Sequence, residues 1–280
     1  MIAILGGFGA AMCWAVAMLC SSRASRELGA FPTLAWVMAV GFVIVLPLVV
    51  LAGSLPSGSQ TSWLLAAGAG NIIGLVCEYT AVRSGKVGVV AAIASTEGAV
   101  AAVLSAIAGE PISAAVAAVL ALIAGGIVLA SLEAPTPDVT ERWATMAVIL
   151  AFGAALSFGI SLYAIGHVSG DVEFAWLVLP ARLVGMVVIV LPLAVRGSLR
   201  IPKRTTPFVV AAGVAEVIGV ASFAWGARDS ISIASVLGSQ FAAISAVGAF
   251  FFFGERLRRL QVVGVVAILV GVGLLAVLRS

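Results

Sequence analysis

VGVVAAIASTEGAVAAVLSAIAG, residues 87–109, is an apolar run long enough for a helix to cross the hydrocarbon core of a bilayer. Glu97 stands near its middle, flanked by Ser95 and Thr96. A carboxylate at that depth costs about 3 kcal/mol on insertion scales. What offsets such a cost is a partner charge, a water-filled cavity, a bound proton or a bound ligand, and all four are features of transport proteins. The run stops at Gly109-Glu110-Pro111, and the same Gly-Glu pair returns at Gly254-Glu255.

The rest of the chain agrees with a membrane reading. Of 280 residues, 62% are hydrophobic and 10% charged, and the mean hydropathy is +1.24. That lies outside the composition of soluble domains. The formal charge of +3 carries no nucleic-acid meaning, because the basic residues are scattered among short connections rather than gathered on one face. Cys13, Cys20 and Cys77 have no paired spacing and read as packing residues. The first apolar run lacks a basic leader, so it is taken as a span and not a signal peptide.

Ten apolar runs follow, at about 2–20, 33–51, 62–82, 87–107, 112–131, 143–163, 173–195, 207–227, 232–253 and 259–278. They are long and rich in Ala, Val, Leu and Gly, without the alternation of barrel strands, so the fold class is an all-α integral membrane protein. A polar connection over 132–142 divides a first unit, 1–131, from a second, 143–280. The two resemble each other: Val43-Ile44-Val45-Leu46-Pro47-Leu48 recurs as Val188-Ile189-Val190-Leu191-Pro192-Leu193. The same offset carries Gly74 onto Gly219, Glu110 onto Glu255 and Gly126 onto Gly271. With five spans per unit the second repeat enters from the opposite side, which predicts two inverted five-helix repeats around a central cavity. Pro47 and Pro192 are expected to kink their helices alike.

Lys and Arg place the chain in the bilayer. Twelve lie in the connections after odd-numbered spans, among them Arg23, Arg26, Arg83, Lys86, Arg196, Arg200, Lys203 and Arg204; Arg228 and Arg279 alone lie opposite. The positive-inside rule then puts both termini outside the cytoplasm of a cell inner membrane.

Two five-span units, each closing its fourth span with Gly-Glu (Gly109-Glu110-Pro111 and Gly254-Glu255-Arg256-Leu257) before a Gly-rich fifth span, resemble the EamA-type members of the drug/metabolite transporter superfamily. The similarity covers essentially the whole chain. It implies a carrier or exporter of small metabolites, often amino acids, with a cavity between the units and the fifth and tenth spans as packing struts. It also implies cytoplasmic termini; on that point the Lys and Arg count is followed instead.

Charges and amides deep inside spans are few: Asn71 and Glu78, Glu97, Arg182, Glu216 and Gln240. The fifth span has none, and the tenth only Arg259 and Gln261 at its start, as expected if the other spans line a polar cavity. Asn71 maps to Glu216 and Ser95 to Gln240 across the repeat, which favours a midplane site. Glu97, Glu216, Asn71, Gln240, Ser95 and Arg182 are the candidate substrate groups, with Trp14, its repeat partner Phe158, Tyr79 and Trp225 as aromatic walls. Glu97, Glu216 and Glu78 are candidates for proton coupling, since desolvation favours the neutral acid. Glu78 also lies a turn from Arg83 and reads equally as a loop-paired carboxylate. Glu110 and Glu255 read as structural, accepting hydrogen bonds from the free amides of the next helix. No cluster has metal-ligand spacing, and no cofactor is expected.

The function that follows is secondary transport, with export or exchange of a small amphipathic metabolite, an amino acid first, and proton-coupled efflux of cationic drugs as the alternative. A lipid-processing enzyme would need a nucleophile or metal cluster at a membrane face, and none is found. The expected partners are the bilayer and the substrate, and a monomer suffices because both repeats share one chain.

Overall fold

A computed structural model describes residues 1–52, 55–84, 93–131, 141–245 and 259–278. Glu255, the connection as far as residue 140 and the side chain of Tyr79 lie outside the described residues. Ten helices are present among the described residues: α1 (Ile2–Leu28), α2 (Ala30–Leu51), α3 (Gly58–Ser84), α4 (Glu97–Ile107), α5 (Ala114–Ser131), α6 (Glu141–Val168), α7 (Phe174–Val195), α8 (Thr206–Ala227), α9 (Ile231–Gly238) and α10 (Arg259–Leu278). Six of these, α1 to α3 and α6 to α8, are long and apolar enough to cross a membrane. No backbone donor can be left bare in hydrocarbon, and a helix satisfies them all within one segment.

The helices pair in a fixed order: α1 with α8, α2 with α7, α3 with α6, α4 with α9, and α5 with α10. Every pair is antiparallel. Along α1, Gly6 meets Gly226 and Trp14 meets Gly219; along α3, Gly74 meets Phe158 and, further on, Cys77 meets Gly153. Met38 of α2 lies against Gly185 and Gly41 against Arg182; Gly126 of α5 lies against Ile268, and Ile123 against Gly271. The contacts come in matched couples: Trp14 sits on Gly219 as Phe158 sits on Gly74. Glycine at these crossings lets the backbones approach, which is how apolar helices associate where lipid removes the hydrophobic drive.

Three helices depart from the expected runs. The fourth and ninth, expected to be continuous over 87–107 and 232–253, are interrupted by turns at residues 95–96 and 239–240. Helix α4 starts only at Glu97, and a further helical stretch over 241–245 follows α9. At these turns Thr96 Oγ1 donates to the Ile93 carbonyl at 2.7 Å and Ser239 Oγ to the Ser235 carbonyl at 3.0 Å. Such hydroxyls compete with the backbone ladder. The two interruptions lie together, since the backbone of Gly98 presses on Ser235 and Ser239. In α7, a π-helical turn at Met186–Val190 precedes Pro192, whereas α2 runs through Pro47 as α-helix. The two prolines are therefore accommodated differently: at the π turn the Leu191 amide donates to the Met186 carbonyl, just before Pro192, which has no N–H to give.

Candidate functional site

Helices α1, α2, α3, α6 and α8 enclose a cavity of about 330 Å³, with Glu97 at the start of α4 and Phe241 after the second interruption completing its wall. That volume is at the lower end for small-molecule sites. Neither α5 nor α10 contributes a lining residue among those described. Most of the wall is apolar, from Ala17, Leu34, Val37, Leu75, Leu162 and Val220. Against this, Glu78, Glu97 and Glu216 present three carboxylates, and no Lys or Arg among the described residues lines the cavity.

Each carboxylate reaches the cavity for a local reason. Glu97 falls in the first turn of α4, immediately after the turn at 95–96, and is 6% exposed. Free amides at a helix start favour negative charge there. Glu78 and Asn71 lie seven residues apart, two turns along one face of α3. Glu216 is on α8, and its Oε2 accepts from Arg182 Nη2 at 2.9 Å.

Arg182 is 2% exposed. Its Nη1 points at the Met38 thioether at 3.2 Å, and its Nε has no partner among the described residues. The guanidinium is thus a resident counter-ion to Glu216 and is not presented to the main cavity. Two of the three carboxylates, Glu78 and Glu97, carry no ion pair among the described residues, so the cavity is electrostatically suited to a cation.

Trp14 and Phe158 both line the cavity, each seated on a glycine of the facing helix. Trp14 also packs on Phe223, with ring centroids 6.1 Å apart, and edge-on to Phe241 at 6.4 Å. An aromatic wall beside carboxylates is the surrounding an organic cation favours.

Other expected site residues are not brought to the cavity. Trp225 is 46% exposed on the outer surface of α8. Its neighbour Gly226 is the residue that packs on α1, which turns Trp225 about 100° away. Ser95 and Gln240 are each 2% exposed within the paired interruptions rather than on the cavity wall, and Gln240 Nε2 has no partner among the described residues. Phe241, Ser161 and Met38 line the cavity without having been singled out. Phe241 directly follows the second interruption as Glu97 follows the first, so a sequence comparison at an offset one residue shorter reaches it.

Ser21, Ser25 and Ala30 line the cavity where α1 turns into α2. At the opposite face the bundle is tied shut. Trp63 lies 4.6 Å from His167 and 5.7 Å from Tyr163, centroid to centroid. Arg228 Nε donates to the Ser169 carbonyl at 2.8 Å, joining α8 to the turn after α6. At that face Glu110 accepts from the hydroxyls of Ser105, Ser230 and Ser232, the last at 2.9 Å, and from the Ser232 amide at 3.2 Å. The amide it receives belongs to α9, across the bundle, and not to the next helix α5, because α9 begins beside the α4–α5 turn.

No curated protein matches the sequence significantly. Among solved structures, one protein crystal structure superposes with a TM-score of 0.75 at 16% identity, over 99% of this chain and 96% of that one. At that identity the likeness is one of fold. The sequence matches the EamA-like transporter family over residues 1–132 and again over 145–277. The chain therefore belongs to the EamA-like transporter family, within the drug/metabolite transporter superfamily, and is a multi-pass membrane transporter.

Proposed function

We propose that this protein is a secondary transporter that exports or exchanges a small amphipathic metabolite carrying an amine, an amino acid first among the candidates, by alternating access. The observation that carries this is the gathering of Glu78, Glu97 and Glu216, from both halves of the chain, on one cavity. The antiparallel pairing of every helix with its counterpart supports two repeats inserted in opposite directions, the arrangement in which rocking one half against the other exchanges the open face. Substrate contact falls to Glu97, Glu78 and Asn71 with Trp14 and Phe158, and proton coupling to Glu97, Glu78 or Glu216. By the positive-inside count the termini lie outside the cytoplasm of the inner membrane, and the end of the cavity beside the α1–α2 turn lies toward the cytoplasm. One chain contains both halves and acts as a monomer.

Proteoliposomes with an imposed pH gradient test this. Amine-bearing substrate moves against the proton gradient in the wild type, and the Glu97→Gln, Glu216→Gln double variant loses that dependence. Retention of full proton dependence in the double variant refutes the coupling role.

A second reading, proton-coupled efflux of cationic drugs, is supported by one observation: Arg182 is taken up by Glu216 at 2.9 Å and offers no free cation for a substrate carboxylate. Thermal shift of the purified protein against amino acids and against lipophilic monovalent cations separates the two, because only a ligand of the native state raises the melting temperature.

A further inference from the structure

We infer that the cavity has a polar annex behind Asn71 that receives a hydroxyl group, so that the substrate is an amine that also bears an alcohol. This rests on the reading of the cavity as an amine site and narrows it.

The annex is a chamber of about 20 Å³ walled by Asn71, Ser161, Leu177, Val178, Arg182 and Val220. Asn71, Ser161, Ile165 and Val220 line the main cavity as well, so the two spaces share a wall. Its size matches one water molecule or one hydroxyl group.

Two polar atoms on this wall are buried and unpartnered among the described residues: Asn71 Oδ1 and Arg182 Nε. They are of opposite sense, one an acceptor and one a donor. Ser161 and the terminal nitrogens of Arg182 are already used. Ser161 Oγ donates to the Ala67 carbonyl at 2.8 Å, and the two terminal nitrogens of Arg182 serve Glu216 and Met38. An unmet buried donor or acceptor is costly, so a group that meets both is favoured.

The hydrogen-bonding inventory selects that group. A hydroxyl donates to Asn71 Oδ1 and accepts from Arg182 Nε at once. A carboxylate oxygen serves Arg182 alone and faces the Asn71 oxygen with a lone pair. An ammonium cannot accept from Arg182, and a methyl serves neither. With the hydroxyl in the annex, the amine remains in the main cavity with Glu78 and Glu97.

Binding of three probes to the purified full-length protein decides the matter: phenylalaninol, phenylalanine and 1-phenylpropan-2-amine, which share one skeleton and differ in carrying an alcohol, a carboxylate or a methyl. The alcohol is expected to bind about tenfold tighter than the methyl compound, the gain of one net hydrogen bond, and tighter than phenylalanine. Asn71→Leu brings alcohol and methyl within about twofold of each other, while Asn71→Asp, which keeps an acceptor, preserves the preference. Equal wild-type binding of alcohol and methyl, or a preference that survives Asn71→Leu, overturns the annex. The wild-type comparison decides even where the leucine variant fails to fold. Tightest binding of phenylalanine overturns the hydroxyl assignment and leaves the amine site standing, whereas failure of all three probes to bind overturns both.

Discussion

Arg182 lies 2.9 Å from Glu216, and the arginine is 2% exposed while the glutamate side chain is 30% exposed. A charge held this deep is tolerated only with its partner in place. Removing one member of a buried pair is far more costly than removing both. Glu216 is partly open to the cavity, so the cost is set below that of a fully buried pair: Arg182→Met and Glu216→Gln are each expected to lose about 2–3 kcal/mol. The double variant should lose less than the sum. A double-mutant cycle from chemical unfolding in detergent checks this, and simple additivity would remove the resident counter-ion from the account.

Glu110 fastens the closed face through three serines. In Glu110→Ala the Ser232 amide and three hydroxyls lose their acceptor, an expected cost of about 1–3 kcal/mol. Glu110→Gln keeps one acceptor oxygen and should cost less. Labelling of a cysteine introduced at Gln60, on the same face, should quicken in the alanine variant; an unchanged rate would show that Glu110 does not hold that face closed.

The aromatic seats on glycine are tight. A Cβ on Gly74 would fall 2.5 Å from the Phe158 ring, and one on Gly219 2.5 Å from Trp14 Nε1. Gly74→Ala is therefore expected to cost about 1–3 kcal/mol by overpacking. Combining it with Phe158→Ala should cost less than the two single changes together, because the ring that clashes is gone. Unfolding midpoints of the three variants measure this, and additivity would count against the contact.

Outside the spans, the Thr205 hydroxyl, donating to Glu27, and then the charge of Arg204 at 3.1 Å, hold the Glu27 carboxyl below its ordinary value near 4.5. A lowered value in the folded state means the stabilisation is present in full above the unfolded value and is lost as pH falls through the folded one. The wild type should therefore lose stability more steeply than Glu27→Gln between neutral pH and about pH 3. Parallel melting curves across that range test it; identical slopes would dismiss the contact.

Much of the cavity was legible in the chain because burying charge in lipid is expensive. Glu78, Glu97, Glu216 and Asn71 could be picked out as isolated polar residues in apolar runs, and they share one cavity. Trp14 and Phe158 followed from the repeat. Trp225 did not belong with them, since an aromatic in a span reads the same whether it faces lipid or cavity. Phe241 and Ser161 were passed over because neither phenylalanine nor serine is costly in a membrane helix. The interruptions at 95–96 and 239–240 were hidden as well: hydroxyls that bond their own backbone look no different in sequence from hydroxyls that do not.

Hydropathy and the internal repeat by themselves determined that the chain crosses the membrane repeatedly as helices in two similar units, because hydrocarbon demands both apolar length and internal backbone pairing. Which helix faces which, that Arg182 is spent on Glu216, and that Glu110 reaches across to α9 were decided only by the tertiary structure. These depend on the rotation of each helix about its axis, set by close glycine contacts between residues dozens of positions apart or more, and no local pattern along the chain encodes that.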